Sequence, residues 1–403
     1  MPDNASLGAA KTAKNDEFYT QYSDIEAEMN AYVEFNPDVF REKTILLPCD
    51  DPEWSNFTKY FAANFERFGL KKLISTSYAK GAGNHQITMF EMLSPLYDET
   101  KHQAHGKLFT LTRDKDGSGN IDTDDIEFSG YLEGDGDFRS EEVTRLRDEA
   151  DVIITNPPFS LFREFLAWIM EGKKQFIIMG NKNAISYKEV FPLLQQNLMW
   201  VGYTSLNGGR WMILPKDIEI KSTKAKEDGH GNMILNVAGV CWFANIDHGK
   251  RHESLLLDTA EHNYKFNKKL KEKLKEYGVS EYPRYDNYEG IEIPFVECIP
   301  SDYDGIMGVP VTFMDRYNPD QFEIIGTISA PSDPKTLNFG IDYSDYIGYN
   351  QDKTPNGRTG STFGKCPVIV MDDKKHPYYE KEGKRVQTTY HRIFIRPKKG
   401  ENK

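Results

Sequence analysis

The strongest constraint on the fold is a strand–helix–strand pattern near the N-terminus of the 403-residue chain. A short apolar run at 44–47 ends in a turn, and aromatic residues then recur at three- or four-residue spacing over 54–68. A second apolar run begins at Leu73. This alternation predicts a βαβ unit with a right-handed crossover. Asp51 and Pro52 suit the start of its helix.

A second strand–helix–strand unit surrounds the most informative motif of the chain. The apolar run at 151–155 leads into the tetrad NPPF at 156–159, and a helix with apolar residues on one face follows at 161–170. Ser160 is a suitable cap for that helix, and QFIIMG predicts a further strand. The tetrad therefore lies at the carboxyl end of a parallel strand, where open α/β sheets bind ligands.

The composition fits a globular protein of two or three structural units. Hydrophobic residues make up 38% and charged residues 28% of the chain, which excludes disordered and fibrous proteins. No apolar run is long enough for a membrane helix and the N-terminus has no signal-peptide pattern, so we expect a cytoplasmic protein. The four cysteines are too widely spaced for a disulfide framework or a zinc site, and we expect no metal.

The pattern predicts three parts along the chain. Residues 1–14 lack periodicity and are expected to be a flexible tail, 15–205 form an α/β domain, and 206–403 form a mixed α+β region. Within the last part, 263–277 has the pattern of a charged, exposed helix. Residues 330–367 are rich in turn formers and predict a long surface loop or several turns.

The chemistry of the tetrad suits group transfer to an amine. An exocyclic amine on a nucleobase is a weak nucleophile because its lone pair is delocalised into the ring. The side-chain oxygen of Asn156 and a backbone carbonyl held by Pro157 and Pro158 can accept its two N–H groups, and Phe159 offers a stacking face. Such acceptors stabilise the positive charge that develops on the nitrogen. The tetrad alone fits adenine, an RNA base or a protein glutamine amide, and a plain turn is the structural alternative.

Several segments besides the tetrad resemble one protein family. They are KNDEFYTQYSDIEAEM at 14–29, ILLPCDDPEWSNF at 45–57, GDGDFRSEE at 134–142, IITNPPFSLFREF at 153–165 and IPSDYDGIMGVPVTFMDRYNPDQFEIIG at 299–326. Together they are similar to the EcoRI-type adenine-specific DNA methyltransferases over nearly the whole chain. The resemblance implies a Rossmann-like class I methyltransferase sheet, S-adenosylmethionine as cofactor, and methyl transfer to N6 of an adenine flipped out of double-stranded DNA. A monomer is expected, and a cognate restriction endonuclease for the same site is a candidate partner.

The resemblance also assigns roles to individual residues. It implies a catalytic pocket at Asn156, Pro157, Pro158 and Phe159. It implies cofactor contacts at Phe18, Tyr19, Thr20, Pro48, Cys49, Asp50, Asp51, Asp137 and Phe138. The Asp137 carboxylate would receive the adenine amino group of the cofactor, with Phe138 beside that ring. The loop at 48–51 lacks the glycines common in such enzymes, so Asp50 and the helix after Asp51 are expected to supply the contacts there.

The charge pattern gives candidates for DNA contact. The net charge of the chain is −12, but from Lys374 to Lys403 ten Lys or Arg stand against three Glu, a local net charge of +7. This segment either pairs with phosphates or is a solvated tail. Within it, TTYHRIFIRP at 388–397 alternates like a strand, so only some of its charges share a face. The loop at 330–366 and the aromatic stretch at 204–216 are candidates for reading base edges. The predicted DNA contacts are Arg210, Asn356, Arg358, Lys365, Lys384, Arg385, Arg392 and Arg396.

The acidic segment DKDGSGNIDTDD at 114–125 resembles a calcium-binding EF-hand loop. Its twelfth position is Asp125 instead of Glu, and the residues before it alternate like a strand. A hairpin turn rich in Gly and Asp is therefore the main alternative to a calcium site.

Overall fold

The computed structural model describes residues 19–48, 50–52, 55–79, 94–214, 225–229, 231–328, 338–372 and 376–398. The described residues of 19–182 and 199–249 form one compact unit, and those of 183–198 and 250–398 form a second. No described helix is both long and apolar enough to cross a membrane. The protein is of mixed α/β architecture with several sheets.

The first unit is built on a large mixed sheet. The described strands of the whole unit are β1 (Tyr19–Thr20), β2 (Thr44–Leu47), β3 (Lys72–Thr76), β4 (Lys107–Leu111), β5 (Glu127–Tyr131), β6 (Val152–Thr155), β7 (Gln175–Asn181), β8 (Trp200–Val201), β9 (Arg210–Ile213), β10 (Ala225–Glu227), β11 (Met233–Val237) and β12 (Val240–Ala244). Eight of them pair in the order β5-β4-β3-β2-β6-β7-β12-β8. The central strands β3, β2, β6 and β7 are parallel, as the sequence predicts, and the others are antiparallel to their neighbours. Strands β1, β9, β11 and β10 form a separate antiparallel sheet.

Helices cover both faces of the large sheet. They are α1 (Tyr22–Phe35), α2 (Asn56–Ala63), α3 (Phe65–Phe68), α4 (Glu141–Glu149) and α5 (Phe162–Glu171). Trp242 and Phe243 are consecutive in β12, so their side chains point to opposite faces. Trp242 packs on Phe57 of α2 with ring centroids 5.9 Å apart, and Phe243 packs on Phe162 of α5 at 5.3 Å. The sheet is therefore a buried layer between helices.

Two predicted helix starts are wrong. The helix after β2 begins at Asn56, and its cap is Ser55, whose hydroxyl oxygen accepts two backbone N–H groups of the first turn. Asp51 does not cap it. Ser160 does not cap the helix after the tetrad either, because it lies within a 3₁₀ turn and α5 begins at Phe162 without a side-chain cap. In the first case Ser55 meets the same cap preference closer to the point where the helix begins.

The second unit contains two further sheets. Its elements are α6 (Phe191–Gln195), α7 (Ala260–Phe266), α8 (Lys268–Tyr277), β13 (Ile291–Glu292), β14 (Met307–Pro310), β15 (Phe322–Thr327), β16 (Ile347–Tyr349), β17 (Pro355–Thr359), β18 (Val368–Val370), β19 (Tyr378–Lys381), β20 (Lys384–Thr388) and β21 (Arg392–Pro397). One sheet has the order β13-β14-β21-β15 and the other β17-β16-β19-β20-β18.

The C-terminal half contains three segments whose structure the sequence predicted only in part. The predicted helix at 263–277 is two helices, because Asn267 ends α7 and its side chain caps α8. The segment at 330–367, predicted to be a long surface loop or several turns, contains the hairpin of β16 and β17 in its described part. The strand predicted at 388–397 is confirmed by β21, and the basic C-terminal segment is not a loose tail, because its described residues also form β19 and β20.

The compact units also divide the chain elsewhere than the predicted boundary near residue 205. Residues 199–249 belong to the first unit. The reason is that β12 pairs with β7 over five residues, while β9 pairs with β1. The chain thus returns to the first unit after its short excursion at 183–198.

Candidate active site

The carboxyl ends of the parallel strands β3, β2, β6 and β7 lie at one edge of the large sheet. Two loops that carry predicted site residues leave this edge, the loop after β2 with Asp50 and the tetrad after β6. The residues that follow β3 leave the same edge. Neighbouring parallel strands bring such loops together, which is why this edge is the usual ligand site of an open α/β sheet.

The tetrad follows β6 directly. Asn156 is half-buried, and the Oδ1 atom of its side chain is buried. Pro158 has φ −54° and ψ 123°, and its carbonyl accepts the N–H of Leu161 at 2.9 Å. Phe159 is half-buried and packs against the main core of the first unit. A backbone hydrogen bond therefore closes the loop of the tetrad, and the Asn156 amide and the Phe159 ring lie at the carboxyl edge of the sheet.

Asp50 supports the site from within the protein. Its side chain is 8% exposed. Its Oδ2 accepts the hydroxyl of Thr155 at 2.6 Å, and its Oδ1 accepts the hydroxyl of Ser55 at 2.7 Å. Burial raises the pKa of this carboxyl group to about 7, although the two hydrogen bonds act in the opposite direction. Because both oxygens are engaged by buried hydroxyls, Asp50 is a supporting residue, and the prediction of a direct cofactor contact does not fit its side chain.

The backbone carbonyls near Asp50 are held by the same group of hydroxyls. Thr58 donates to the Asp50 carbonyl at 2.9 Å, and the Ser75 hydroxyl also donates to it. The Thr155 hydroxyl lies 3.1 Å from the carbonyl of Pro48. Sequence analysis missed these hydroxyl residues because single Ser and Thr residues at strand ends carry no distinctive pattern.

The predicted N-terminal contact region reaches the same side of the sheet. Thr20 is buried, and its hydroxyl lies 3.1 Å from the sulfur of Met179 in β7. Its carbonyl accepts the side-chain N–H of Asn56, the first residue of α2, at 2.8 Å. Tyr19 is half-buried and pairs with Ile213 of β9. Phe18 and Cys49 lie outside the described residues, and their predicted contacts stay predictions.

The loop at 134–138 lies against the end of β3. Gly136 has φ +85°, and a Cβ there would collide with the Ser77 carbonyl, so only glycine allows this approach. Asp137 accepts hydrogen bonds from the Arg139 guanidinium at 2.6 and 2.9 Å, which lowers the pKa of its carboxyl group. Asp137 is therefore a charged carboxylate that is paired with Arg139, and unlike Asp50 its side chain is partly exposed, at 23%.

Phe138 is a core residue. Its side chain is 4% exposed, and its ring lies 5.0 Å from that of Phe165 and 5.6 Å from that of Trp168, both edge-on. A ring enclosed in this way has little surface left for a ligand. The predicted stacking of Phe138 beside a cofactor ring therefore does not fit its side chain.

The loop after β8 leaves the same edge, because β8 and β7 both pair antiparallel with β12. The fully buried Glu28 of α1 accepts the backbone N–H groups of Tyr203 at 2.6 Å and Thr204 at 2.8 Å. Arg210, a predicted DNA contact, donates to the Thr204 hydroxyl at 2.5 Å and to the Ser205 carbonyl at 3.1 Å. Burial raises the pKa of Glu28. Glu28, which fixes this loop, was not predicted from the sequence as a site residue.

One predicted phosphate contact in the second unit is wrong. Arg392 is 5% exposed and forms a two-pronged ion pair with the fully buried Glu292, with N–O distances of 2.5 and 3.0 Å. Tyr285 also donates to Glu292 at 2.5 Å. The guanidinium is thus enclosed between strands, where no phosphate can reach it.

The other predicted DNA contacts differ in how far their charges are already paired. Lys384 pairs with Asp286 at 2.6 Å, Arg385 with Glu380 at 2.7 Å, and Arg396 with Glu323 at 2.8 Å. Asn356 is half-buried, and its Oδ1 accepts the N–H of Arg358 at 3.0 Å. Arg358 and Lys365 are exposed, and neither has an ion pair within the described part of the chain.

The acidic segment at 114–125 is the turn of the β4–β5 hairpin, as the alternative to a calcium site predicted. The carboxylates of Asp114, Asp116 and Asp125 lie within 4.8 Å of one another. Asp125 accepts backbone N–H groups within the turn at 2.7, 3.0 and 3.2 Å, and Asp114 accepts two more. The carboxylates of Asp114 and Asp125 thus stabilise the turn by accepting its own backbone N–H groups.

Comparison with known proteins identifies the family. A family model described as adenine-specific methyltransferase EcoRI matches residues 6–398. The chain belongs to this family. The resemblance predicted from the sequence is thereby confirmed, and the adenine-specific DNA methyltransferase activity that it implied is confirmed with it.

Three relatives illustrate how far the similarity to this adenine-specific methyltransferase extends. Type II methyltransferase M.EcoRI of Escherichia coli is 40% identical over 323 residues, 80% of this chain and 89% of that protein. M.MgeORF184P of Mycoplasma genitalium is 32% identical over 324 residues, 80% and 86% of the two chains. M.MpnI of Mycoplasma pneumoniae is 31% identical over 326 residues, 80% and 85%. No solved structure matches the chain.

Proposed function

We propose that the first unit transfers a methyl group from S-adenosylmethionine to the N6 amine of an adenine that is flipped out of double-stranded DNA. The observation that carries this proposal is the placement of the NPPF tetrad. In a chain of an adenine-specific family, Asn156 and Phe159 stand half-buried at the carboxyl edge of a parallel sheet. That edge is where a sheet of this kind binds its ligands.

The arrangement of the sheet supports a Rossmann-like class I methyltransferase fold. Four parallel strands in the order β3-β2-β6-β7 are followed by the antiparallel β12 and then by β8, and helices cover both faces. Strand β4 runs antiparallel to β3, which departs from a wholly parallel half-sheet at that side. The departure lies away from β6 and the tetrad.

The residues at the edge suit the proposed cofactor. Asp137 is a charged acceptor. It follows Gly136, whose backbone lies close to the end of β3 because glycine has no side chain. Asp51 is half-buried after β2, and Tyr19 and Thr20 border α2. S-adenosylmethionine carries an adenine amine, an ammonium group and a sulfonium, and when bound it supplies the electrophilic methyl group. We propose Tyr19, Thr20, Pro48, Asp51 and Asp137 as its contacts, with Phe18 and Cys49 added from the family resemblance.

The proposed chemistry follows from what the tetrad can accept. The Asn156 side-chain oxygen and the Pro157 carbonyl would each accept one N–H of the target amine, which leaves the nitrogen lone pair directed at the methyl carbon. The Phe159 ring would stack on the flipped base. When bound, S-adenosylmethionine would supply the electrophilic methyl group, and the tetrad would hold the amine nitrogen towards it. The surplus proton on the methylated nitrogen would pass to solvent.

The second unit is proposed to hold DNA. Arg358, Lys365 and Asn356 stand in or beside its hairpin of β16 and β17, and two of them are exposed cations. In the first unit, Arg210 and the loop that it braces are proposed to contact DNA near the target base. A cognate endonuclease and a monomeric state stay predictions.

The function is tested by incubating the purified protein with S-adenosylmethionine labelled in its methyl group and with duplex DNA, RNA or protein. We expect label only in DNA adenine. Asn156→Ala should lower the turnover at least ~10²-fold, the typical effect of removing one preorganised polar contact, while calorimetry still detects cofactor binding. Asn120→Ala, in the exposed turn of the β4–β5 hairpin, is the matched control and should keep wild-type turnover. Labelling of RNA or a protein amide, or full turnover by Asn156→Ala, would reject the assignment.

A further inference from the structure

We propose that Thr155 is a positioning residue for methyl transfer: its buried hydroxyl fastens the residue before Asn156 to the carboxyl group of Asp50. The inference rests on the proposed function of the tetrad and adds a residue to it. Thr155 ends β6, and Asp50 lies in the loop that follows the neighbouring strand β2. The hydroxyl therefore joins the loop of the acceptor site to the loop of the proposed cofactor site.

The contact is short and enclosed. Thr155 is 2% exposed, and its Oγ1 lies 2.6 Å from Oδ2 of Asp50 and 3.1 Å from the carbonyl oxygen of Pro48. A hydroxyl has a single proton, so the shorter contact is the main hydrogen bond when Asp50 is ionised. A hydrogen bond to a charged group in a buried place is about twice as strong as a neutral one. This hydrogen bond thus holds the last residue of β6, which directly precedes Asn156.

The anchor is itself rigid. The other carboxyl oxygen of Asp50 accepts the hydroxyl of Ser55 at 2.7 Å, and Ser55 is the cap of α2. The Asp50 carbonyl accepts the hydroxyls of Thr58 in α2 and Ser75 in β3. Asp50 is therefore fixed by α2 with its cap and by β3, and Thr155 transmits that fixed position to the tetrad.

The side chain at this position must be small and must donate. Valine has nearly the shape of threonine but no hydroxyl, so it would leave Oδ2 of Asp50 and the Pro48 carbonyl without this donor in a buried place. The chain would rearrange to lower the cost of these unpaired acceptors, and that rearrangement would shift the first residue of the tetrad. A shift of ~1 Å at reacting groups is enough to lower a rate about 10²-fold. Serine would keep the donor.

The test compares Thr155→Val with Thr155→Ser in the full-length protein. We expect Thr155→Val to lower kcat on DNA at least ~10-fold, as a partial misplacement of the acceptor implies, with KM for DNA and calorimetric affinity for S-adenosylmethionine within about twofold of wild type. Thr155→Ser should recover most of kcat. Thr144→Val is the matched control, because it removes a partly buried hydroxyl that pairs with Trp168 at 3.1 Å in the helix layer, away from Asp50, and it should keep wild-type kcat.

Hydrogen exchange gives a second readout that does not depend on activity. The backbone amides of Asn156 and of residues 159–161 should exchange faster in Thr155→Val than in wild type, and Thr155→Ser should restore their protection. Equal kcat and equal exchange in wild type and Thr155→Val would overturn the positioning role, as would equal losses in both variants. If the wild-type protein methylates no DNA adenine, the proposed function fails, and the exchange rates alone then decide whether Thr155 holds the tetrad.

Discussion

At the scale of single residues, the protonation of Asp50 couples the site to pH. The pKa of this carboxyl group is raised to about 7 by burial. When Asp50 is neutral, it can donate to Thr155, which is then able to donate to the Pro48 carbonyl. When Asp50 is ionised, Thr155 donates to it instead. Both arrangements use the same atoms, at the observed distances of 2.6 and 3.1 Å.

This shift predicts how stability depends on pH. A carboxyl group whose folded pKa is raised binds its proton more tightly in the folded state, so its contribution is complete below the unfolded pKa of about 4 and is lost as the pH rises to about 7. The full shift corresponds to about 4 kcal/mol as an upper value. Asp50→Asn imitates the neutral form. Urea unfolding between pH 4 and 8 should show a loss of stability in wild type that is smaller in Asp50→Asn, and parallel curves would contradict the assignment.

Residues differ in how much of their position could be predicted from the sequence. The position of Asn156 and Phe159 at the carboxyl end of β6 was predicted, because the tetrad follows an obvious strand, while their catalytic roles stay proposals. Thr155, Ser55 and Glu28 were not predicted, because their role arises from contacts with chain segments that are distant in sequence.

At the scale of elements, β21 shows how tertiary pairing overrides a charge pattern. Its basic sequence suggested a phosphate-binding strand or tail, yet it lies in the interior of a sheet between β14 and β15, with residues 392–395 buried. The βαβ unit, by contrast, was predicted correctly because its strand and helix periodicities are strong and local. The position of its helix cap was not, because several residues near Asp51 satisfy the same preference.

The buried pair of Arg392 and Glu292 predicts a loss of stability on truncation. Arg392→Ala should lower the free energy of unfolding by about 3–5 kcal/mol, because it leaves Glu292 charged and unpaired in the interior. Arg396→Ala is the matched control. Arg396 pairs with Glu323, but both side chains are about half exposed, so its removal should change stability by less than about 1 kcal/mol. Equal effects of the two substitutions in chemical denaturation would contradict the burial argument.

At the scale of the whole molecule, an acidic chain has to bind DNA, which is a polyanion. The net charge is −12, and several of the predicted basic contacts are already paired within the protein. DNA binding should therefore depend on local sites and not on the overall charge.

Exposed and paired cations should differ in their effect on DNA affinity. Arg358→Ala and Lys365→Ala should each weaken binding and reduce the slope of log affinity against log salt by about 0.9, the value for one lost phosphate contact. Lys381→Ala, which removes a cation paired with Asp345 at 3.3 Å, should leave the slope unchanged. Unchanged slopes for both Arg358→Ala and Lys365→Ala would place the DNA surface elsewhere.

The central claim is that the protein methylates adenine at N6 in DNA with the site around Asn156. Modification-sensitive sequencing of DNA from cells that express the protein reports the modified base, its position and its sequence context in one measurement. We predict N6-methyladenine at a single short recognition sequence with the wild-type chain and a return to background with Asn156→Ala. Methylation of cytosine, or an unchanged adenine signal with the variant, would contradict the account.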